Sequence, residues 1–386
     1  MTGTLDGIRV VDLSLGIAGP MATGQLADHG ASVVRVEPPG GDPYRPFVSH
    51  QAYDRGKQSV VADLHSAEGL AMVHRLLAAA DVVVVGWAPG VAAALGLDYP
   101  TLSERYPRLV VCSLTGYGPS GPDRDRPGYD SLVSARLGAV SESLAERGAP
   151  VFLSVPIASV GTALLAVIGI MAALLEREDT GRGQEVDTTL LDGALAFISM
   201  FWERLERFEE PTKSRPLPGD PPSRYRLLVR TFRCSDGEYL GIHTGANGSH
   251  ARLMEAVGLS ERVPPAPPGQ QEKKELLTEE GARILADELP VIMASRPRHE
   301  WLALFRERDV TAIPLLAQTE AFHAPQVEHN ELIVTVDDPE LGVLEQVGIA
   351  ARMFDSPGVV RGPAPLPGAD LDAVLAELAE LTRLEA

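Results

Sequence analysis

Residues 8–37 read IRVVDLSLGIAGPMATGQLADHGASVVRVE. Ile8–Leu13 is a short apolar run, Gly19–His29 carries helical spacing, and Ser32–Glu37 is a second apolar run rich in valine. Strand, helix and strand in such close succession is the pattern of a βαβ unit. The pattern continues outward. Ser59–Leu64 reads as a strand. Ser66 is placed to cap a helix running to Ala80, with Leu70, Val73, Leu76 and Leu77 on one face. Asp81–Val85 and Leu109–Leu114 are two further strand-like runs. Strands apolar throughout their length need cover on both faces, which a parallel sheet flanked by helices provides. The first 115 residues are therefore predicted as an α/β, Rossmann-like parallel-sheet domain.

Beyond it, residues 116–128 (GYGPSGPDRDRPG) form a Gly/Pro-rich loop, and Tyr129–Val140 and Ile157–Glu178 read as helices. The apolar stretch Val155–Leu175 is interrupted by Pro156, Ser159, Gly161, Thr162 and Gly169, so a buried core helix is expected rather than a membrane span. Residues 181–195 read as turn, strand and helix. That helix is expected to reach about Phe208 and to bury Leu195, Phe197, Ile198 and Trp202. Residues 209–223 (EEPTKSRPLPGDPPS) have linker composition. Leu227–Cys234 and Glu238–His243 flank Ser235-Asp236-Gly237, a hairpin signal. Helices are expected over His250–Val257, Lys274–Met293 and His299–Asp309, with a loop at Pro264–Gln271. Leu332–Val336 then reads as a strand, Asp337-Asp338-Pro339 as a turn, and Leu371–Leu384 as an amphipathic terminal helix.

The length, 386 residues, suits two or three domains, and 45% hydrophobic residues suit a soluble globular protein. With 34 Lys and Arg against 53 Asp and Glu, the net charge is −19. A body this acidic repels phosphate backbones, so neither nucleic acid nor an anionic membrane is an expected partner. A local basic pocket for a small anion stays compatible with that balance. Cys112 and Cys234 are too few for a disulfide framework and read as small apolar strand residues, which favours a reducing, cytoplasmic setting. The opening MTGTLDGIRVV has no basic segment followed by a long apolar one, so no signal peptide is expected.

Gly116-Tyr117-Gly118-Pro119-Ser120-Gly121 matches GxGxxG literally. Pro119 and Pro122 remove N–H donors, and Asp123 and Asp125 add negative charge, so the segment reads as a plain loop rather than a dinucleotide site. There is no P-loop and no GxSxG elbow. His243/His250 and His323/His329 lack metal-ligand spacing, and no metal is expected.

Several blocks read together resemble the class III CoA-transferases, the CaiB/BaiF family. They are residues 5–45 (LDGIRVVDLSLGIAGPMATGQLADHGASVVRVEPPGGDPYR), 80–97 (ADVVVVGWAPGVAAALGL), 113–122 (SLTGYGPSGP), 126–133 (RPGYDSLV) and 169–195 (GIMAALLEREDTGRGQEVDTTLLDGAL), with DDPELGVLEQVG and APLPGADLDAVLAEL in the tail. The resemblance implies a large domain built from both chain ends, residues 1–208 and 326–386. It also implies a linker at 209–224, a smaller inserted α+β domain at 225–325, and two subunits threaded through each other as an interlocked dimer.

The chemistry it implies starts with a carboxylate that attacks an acyl-CoA thioester to give a mixed anhydride. CoA thiolate returns to form an enzyme thioester, and a second carboxylic acid takes over the CoA. CoA or acyl-CoA is then a substrate, and no tightly bound cofactor is implied. The nucleophilic Asp of the family falls on Ser159, in Val155-Pro156-Ile157-Ala158-Ser159. Two arginines that meet CoA phosphates in the family fall on Ala88 and Ala94. Arg55 and Lys57 remain from the basic cluster, beside Gln58. Ile17, Ala18, Trp87, Tyr129 and Asp130 complete the implied substrate-contacting set.

The racemase branch of the family needs a His and an Asp. Those positions carry Tyr129 and Ser159, which places the resemblance on the transferase branch. Ser159 is open to three readings: a nucleophile needing a distant base such as His50, His65 or His243, a helix N-cap or small packing residue, or a non-covalent substrate contact. Asp130 reads as a site acid or a cap, Asp187 and Asp192 as structural groups at a strand-to-helix corner, and Trp87 as an adenine platform or a core residue. Three functions are compatible with these residues. The chain could be the Asp-lacking subunit of a hetero-oligomeric transferase (or part of a homodimer), an acyl-CoA pocket repurposed for acyl transfer or hydrolysis, or a non-catalytic scaffold.

Overall fold

The computed structural model describes residues 3–138, 152, 154–198, 228–264 and 277–385. In chain order the elements begin β1 (Arg9–Ser14), α1 (Ala18–Asp28), β2 (Ser32–Glu37), α2 (Val48–Tyr53), β3 (Gln58–Val61), α3 (Ala67–Ala78), β4 (Val82–Gly86), α4 (Val91–Ala94), α5 (Tyr99–Arg105) and β5 (Val110–Thr115). Next come α6 (Asp130–Arg136), α7 (Ile157–Thr180), β6 (Glu185–Thr189), α8 (Leu190–Ile198), β7 (Arg230–Arg233), β8 (Tyr239–Ile242), α9 (Ser249–Ala256), α10 (Glu279–Asp287), α11 (Leu289–Met293) and α12 (Arg298–Glu307). The chain ends with β9 (Ala312–Pro314), α13 (Gln318–Phe322), α14 (Pro325–His329), β10 (Ile333–Asp338), β11 (Gly342–Val347) and α15 (Leu371–Glu385).

The chain divides into two compact units, one holding the described residues up to 198 together with 329–385, the other holding 228–264 and 277–328. In the first, six strands form a sheet in the order β3-β2-β1-β4-β5-β6, every pair parallel. The valines of β4 show why it is covered twice. Val82 and Val84 point into a core with Leu26, Ala163, Ala166 and Ile170. Val83 and Val85 point into another with Val73, Leu76, Leu102 and Val374 of α15. Ser66 caps α3, its hydroxyl accepting the Gly69 N–H at 2.9 Å, as its position predicts.

α7 is a helix of 24 residues whose length and composition would let it cross a membrane, with mean hydropathy 2.3. Half of that stretch is buried in the protein, through Ala158, Ala163, Ala166, Ile170, Ala173 and Leu174. The core helix expected from sequence is buried on one face only: Leu164, Ile168, Met171 and Leu175 form an exposed apolar stripe, with Ile168 65% and Leu175 74% exposed. They recur at helical spacing on the face turned away from the sheet.

α7 and α8 meet backbone to backbone. A Cβ on Gly161 would lie 2.3 Å from Gly193 O, and one on Gly193 would lie 2.3 Å from Ala158 O. Thr162 Oγ1 donates in the same contact, 2.7 Å from Ala158 O and 2.8 Å from Thr189 O. Gly161→Val is expected to destabilise the first unit by at least about 3 kcal/mol, as overpacking against a rigid backbone does. A urea midpoint within error of the wild type would contradict this account of the crossing.

The second unit has an antiparallel sheet β7-β8-β9 over a core of Phe232, Leu240, Leu253, Trp301 and Phe305. The β7–β8 hairpin is the one signalled by Ser235-Asp236-Gly237. Three expectations are corrected. Within its described part, Lys274–Met293 is two helices, because Pro290 lacks an N–H and sits in the first turn of α11. β9 and β11 are strands with no counterpart in the sequence reading, β11 pairing antiparallel with β10. Phe197 is 46% exposed rather than buried. The Pro-rich segment 209–223, Trp202, Phe208, residues 265–271 and the end of the Tyr129–Val140 helix lie outside the described residues; α6 itself runs Asp130–Arg136.

Candidate active site

Parallel sheets present ligands to the carboxyl ends of their strands, at the point where strand order reverses. Here that point lies between β1 and β4. A cleft of about 870 Å3 opens there, lined by Leu15–Gly19 after β1, Gly86–Pro89 after β4 and Leu114–Gly116 after β5. Its other walls are residues 124–131 with Ser134, the start of α7 with Ser159, and Tyr44, Phe152 and Leu190. The volume is in the range of a small-molecule site.

Of the residues expected in the site, Ile17, Ala18, Trp87, Tyr129, Asp130 and Ser159 all line this cleft. Ile17 precedes α1 and Ala18 is its first residue. Trp87 lines the cleft and packs in part against the core on the β4 side. Tyr129 is exposed at the residue before α6. Ser159 is not a helix N-cap, which corrects that reading. Pro156 occupies the cap and Ser159 is the third helical residue, buried at the cleft floor. Its backbone N–H is one of the orphan donors of the first turn, and it donates to Asp130 Oδ2 at 2.6 Å. Asp130 is therefore a cap supplied by another helix, and a cleft carboxylate as well.

Among the described residues, no histidine lines the cleft. His50, proposed as a distant base for Ser159, is buried with its Nδ1 2.9 Å from Asp54 Oδ2. At the β6–α8 corner, Asp192 Oδ2 accepts from Thr189 Oγ1 at 2.7 Å and the Asp192 N–H donates back at 2.9 Å, a structural role. Burial first, and then the Asp192 charge, raise the Asp187 carboxyl above its usual range.

Arg55 and Lys57 are absent from the cleft, and their expected phosphate role is corrected by where their charges go. Arg55 pairs with Asp28 at 2.7 Å and donates to Val347 O at 2.6 Å. Lys57 is fully buried, 2.7 Å from Asp54 Oδ1 and 3.1 Å from Asp12 Oδ2. Arg35 is buried with Asp54 and Asp42. The cations that do reach the cleft are Arg124 and Arg126.

They sit on the loop that carries the GxGxxG match. The loop's two ends cross so closely that a Cβ on Gly116 would lie 2.6 Å from Gly128 Cα. The glycine at 116 thus serves a backbone crossing, and no helix opens at this match. Asp123 takes Arg126 at 2.5 Å and Arg136 at 3.0 Å, and the hydrogen bond from Arg136 is the main cause that holds its carboxyl below the usual range. Tyr44, Phe152 and Arg124 are cleft residues that sequence reasoning missed. The alternation Asp123-Arg124-Asp125-Arg126 was the available signal, and its acids masked it.

Compared with known proteins, the chain matches CoA-transferase family III over residues 5–371. It is 30% identical to the human succinyl-CoA:glutarate CoA-transferase over 384 residues, covering 97% of this chain and 86% of that one. It is also 30% identical to the succinyl-CoA–L-malate CoA-transferase beta subunit of Chloroflexus aurantiacus, covering 97% of this chain and 94% of the relative. A crystal structure of a CaiB/BaiF family protein from Brucella suis superposes with a TM-score of 0.80 at 28% identity, over 98% of this chain and all of that one. A family match of this extent, on a parallel-sheet fold with a cleft at its switch point, leads to one conclusion: the chain belongs to CoA-transferase family III.

Proposed function

We propose that this chain is the acyl-CoA-binding, Asp-lacking subunit of an acyl-CoA:carboxylate CoA-transferase, and that an Asp-bearing relative supplies the nucleophile. The observation that carries this reading is the cleft floor: Ser159 lies there with no histidine among the described cleft residues to activate it. An unassisted hydroxyl is a weak nucleophile, and its ester is far less reactive toward CoA thiolate than an anhydride. The cleft acid bonded to the Ser159 backbone, Asp130, spends an oxygen on the α7 cap. One relative being named a beta subunit supports assembly from unlike subunits.

In this reading the cleft takes the thioester end of acyl-CoA, whose acyl chain meets Leu15, Ile17, Leu114, Val155 and Leu190. The exposed stripe on α7 and the exposed Leu341, Val343 and Val347 are apolar surface suited to an interlocked dimer. The two cysteines are buried and unpaired, consistent with a cytoplasmic setting.

The test is reconstitution. The purified chain is expected to exchange CoA between succinyl-CoA and a dicarboxylate at no more than background rate, and co-expression with an Asp-bearing family relative from the same source is expected to give turnover. Substituting that relative's Asp should abolish the turnover. Full activity in the isolated chain, with an acyl group recovered on Asp130, would overturn the proposal.

A further inference from the structure

We infer that Arg124 is the anchor for the phosphates of the CoA substrate in this chain, an inference that rests on the acyl-CoA reading of the cleft. A CoA thioester is a polyanion, and its arm must leave the cleft past positive charge to be held firmly. The loop after β4 cannot supply it. Residues 88–96 read APGVAAALG, with no cation. Two cations line the cleft among the described residues, and they differ in what remains of their charge.

Arg126 is committed. Its Nε lies 2.5 Å from Asp123 Oδ1. Arg136 shares the same carboxylate, so Asp123 is saturated from two sides. Arg124 has no such partner. Its nearest acid is Asp125, 3.5 Å from its Nε and 83% exposed at the side chain. That Nε is itself buried and makes no hydrogen bond. A guanidinium has five donors in a rigid fork; the Arg124 side chain is 42% exposed, so the cost of an unmatched donor falls on its buried Nε unless a ligand or water meets it.

Its position adds the second argument. Arg124 Nη2 lies 4.0 Å from where a Cβ on Gly90 would be. The fork therefore reaches from the loop after β5 to the cation-free loop after β4, over the cleft wall formed by Ala88 and Pro89. The crossing of Gly116 and Gly128 fixes the ends of the Arg124 loop, which lowers the entropy cost of holding it there. Arg55, Lys57 and Arg35, the other cations from the same half of the sheet, are buried on carboxylates elsewhere.

The experiment compares acetyl-CoA with acetyl-pantetheine, which keeps the thioester and lacks every phosphate, by calorimetric titration of the full chain. The wild type is expected to bind acetyl-CoA more tightly than acetyl-pantetheine. Arg124→Ala should weaken acetyl-CoA about 10- to 100-fold, the range of one or two charge-assisted hydrogen bonds, and leave acetyl-pantetheine unchanged. Arg124→Lys should recover part of the loss, and Ala88→Arg added to Arg124→Ala should recover it across the same gap. A change under about threefold in Arg124→Ala, or an equal loss for both ligands, would overturn the inference while leaving the acyl-CoA reading in place. Failure of the wild type to bind acetyl-CoA at all would overturn both.

Discussion

Ser159→Asp is expected to give the isolated chain a CoA-transfer activity it otherwise lacks, rising at least about a thousandfold over the wild type. The substitution changes one group at the cleft floor, in the first turn of α7, where a helix N-terminus favours a carboxylate. An alcohol and a carboxylate there differ less in their attack on the thioester than in the fate of the acyl adduct. The serine ester would be a stable dead end, whereas the anhydride would be opened readily by CoA thiolate, releasing the donor acid and leaving an enzyme thioester that the acceptor acid then attacks. The new carboxylate would also lie close to Asp130, whose Oδ2 is 2.6 Å from the residue 159 N–H. Two acids in one site lose their protons in separate steps, the second at a raised pKa. Activity of Ser159→Asp should therefore rise with pH at a higher midpoint than in Ser159→Asp with Asp130→Asn. Rapid quenching with labelled succinyl-CoA should trap label on residue 159. A variant that binds acyl-CoA and stays inert would show that the cleft has lost more than its nucleophile.

The sheet was legible because its physics is local. Val82–Val85 is apolar at every position, and only a strand covered on both faces accommodates that. β9 escaped because it has three residues and ends on Pro314, too short for any period to register. β11 escaped because GVLEQV carries no apolar alternation, its middle residues being paired instead with β10. The site was legible mainly through resemblance. Ile17, Trp87, Tyr129, Asp130 and Ser159 do meet in one cleft, though they come from segments far apart in sequence. Charge defeated the reading of the rest. Lys57 looks like a free surface cation until Asp12, 45 residues away, is placed beside it. Arg124 was hidden the opposite way, because its acidic neighbours made a basic loop look negative. Spacing along the chain says nothing about which carboxylate consumes which cation.

Lys57→Met is expected to destabilise the first unit by about 3–5 kcal/mol at neutral pH. Lys57 Nζ sits among Asp54 Oδ1, Asp12 Oδ2, Thr23 Oγ1 and Pro20 O at 2.7 to 3.1 Å, with no solvent access. Asp12, Glu37, Asp42 and Asp54 face Arg35, Arg45 and Lys57 in one buried network. Burial is the largest influence on Asp54 and would raise its pKa. Lys57, the His50 hydrogen bond and Arg35 together outweigh it and hold the carboxyl well below the usual range. Asp12 is lowered against burial by Lys57 and Arg35 in the same way. A lowered native pKa means stability that is fully present above the unfolded value near 4 and lost as pH falls through the native one. Removing Lys57 strands two buried carboxylates, so the penalty should be greatest near pH 7 and shrink as the pH falls, first because protonation relieves the variant above about 4 and then because the wild type loses the contribution of its lowered pKa values below about 4. Urea unfolding at pH 7 and pH 3.5 measures both parts. Lys57→Met combined with Asp12→Asn should recover part of the loss. A penalty below about 1 kcal/mol at pH 7 would mean that the carboxylates are held by something other than this cation.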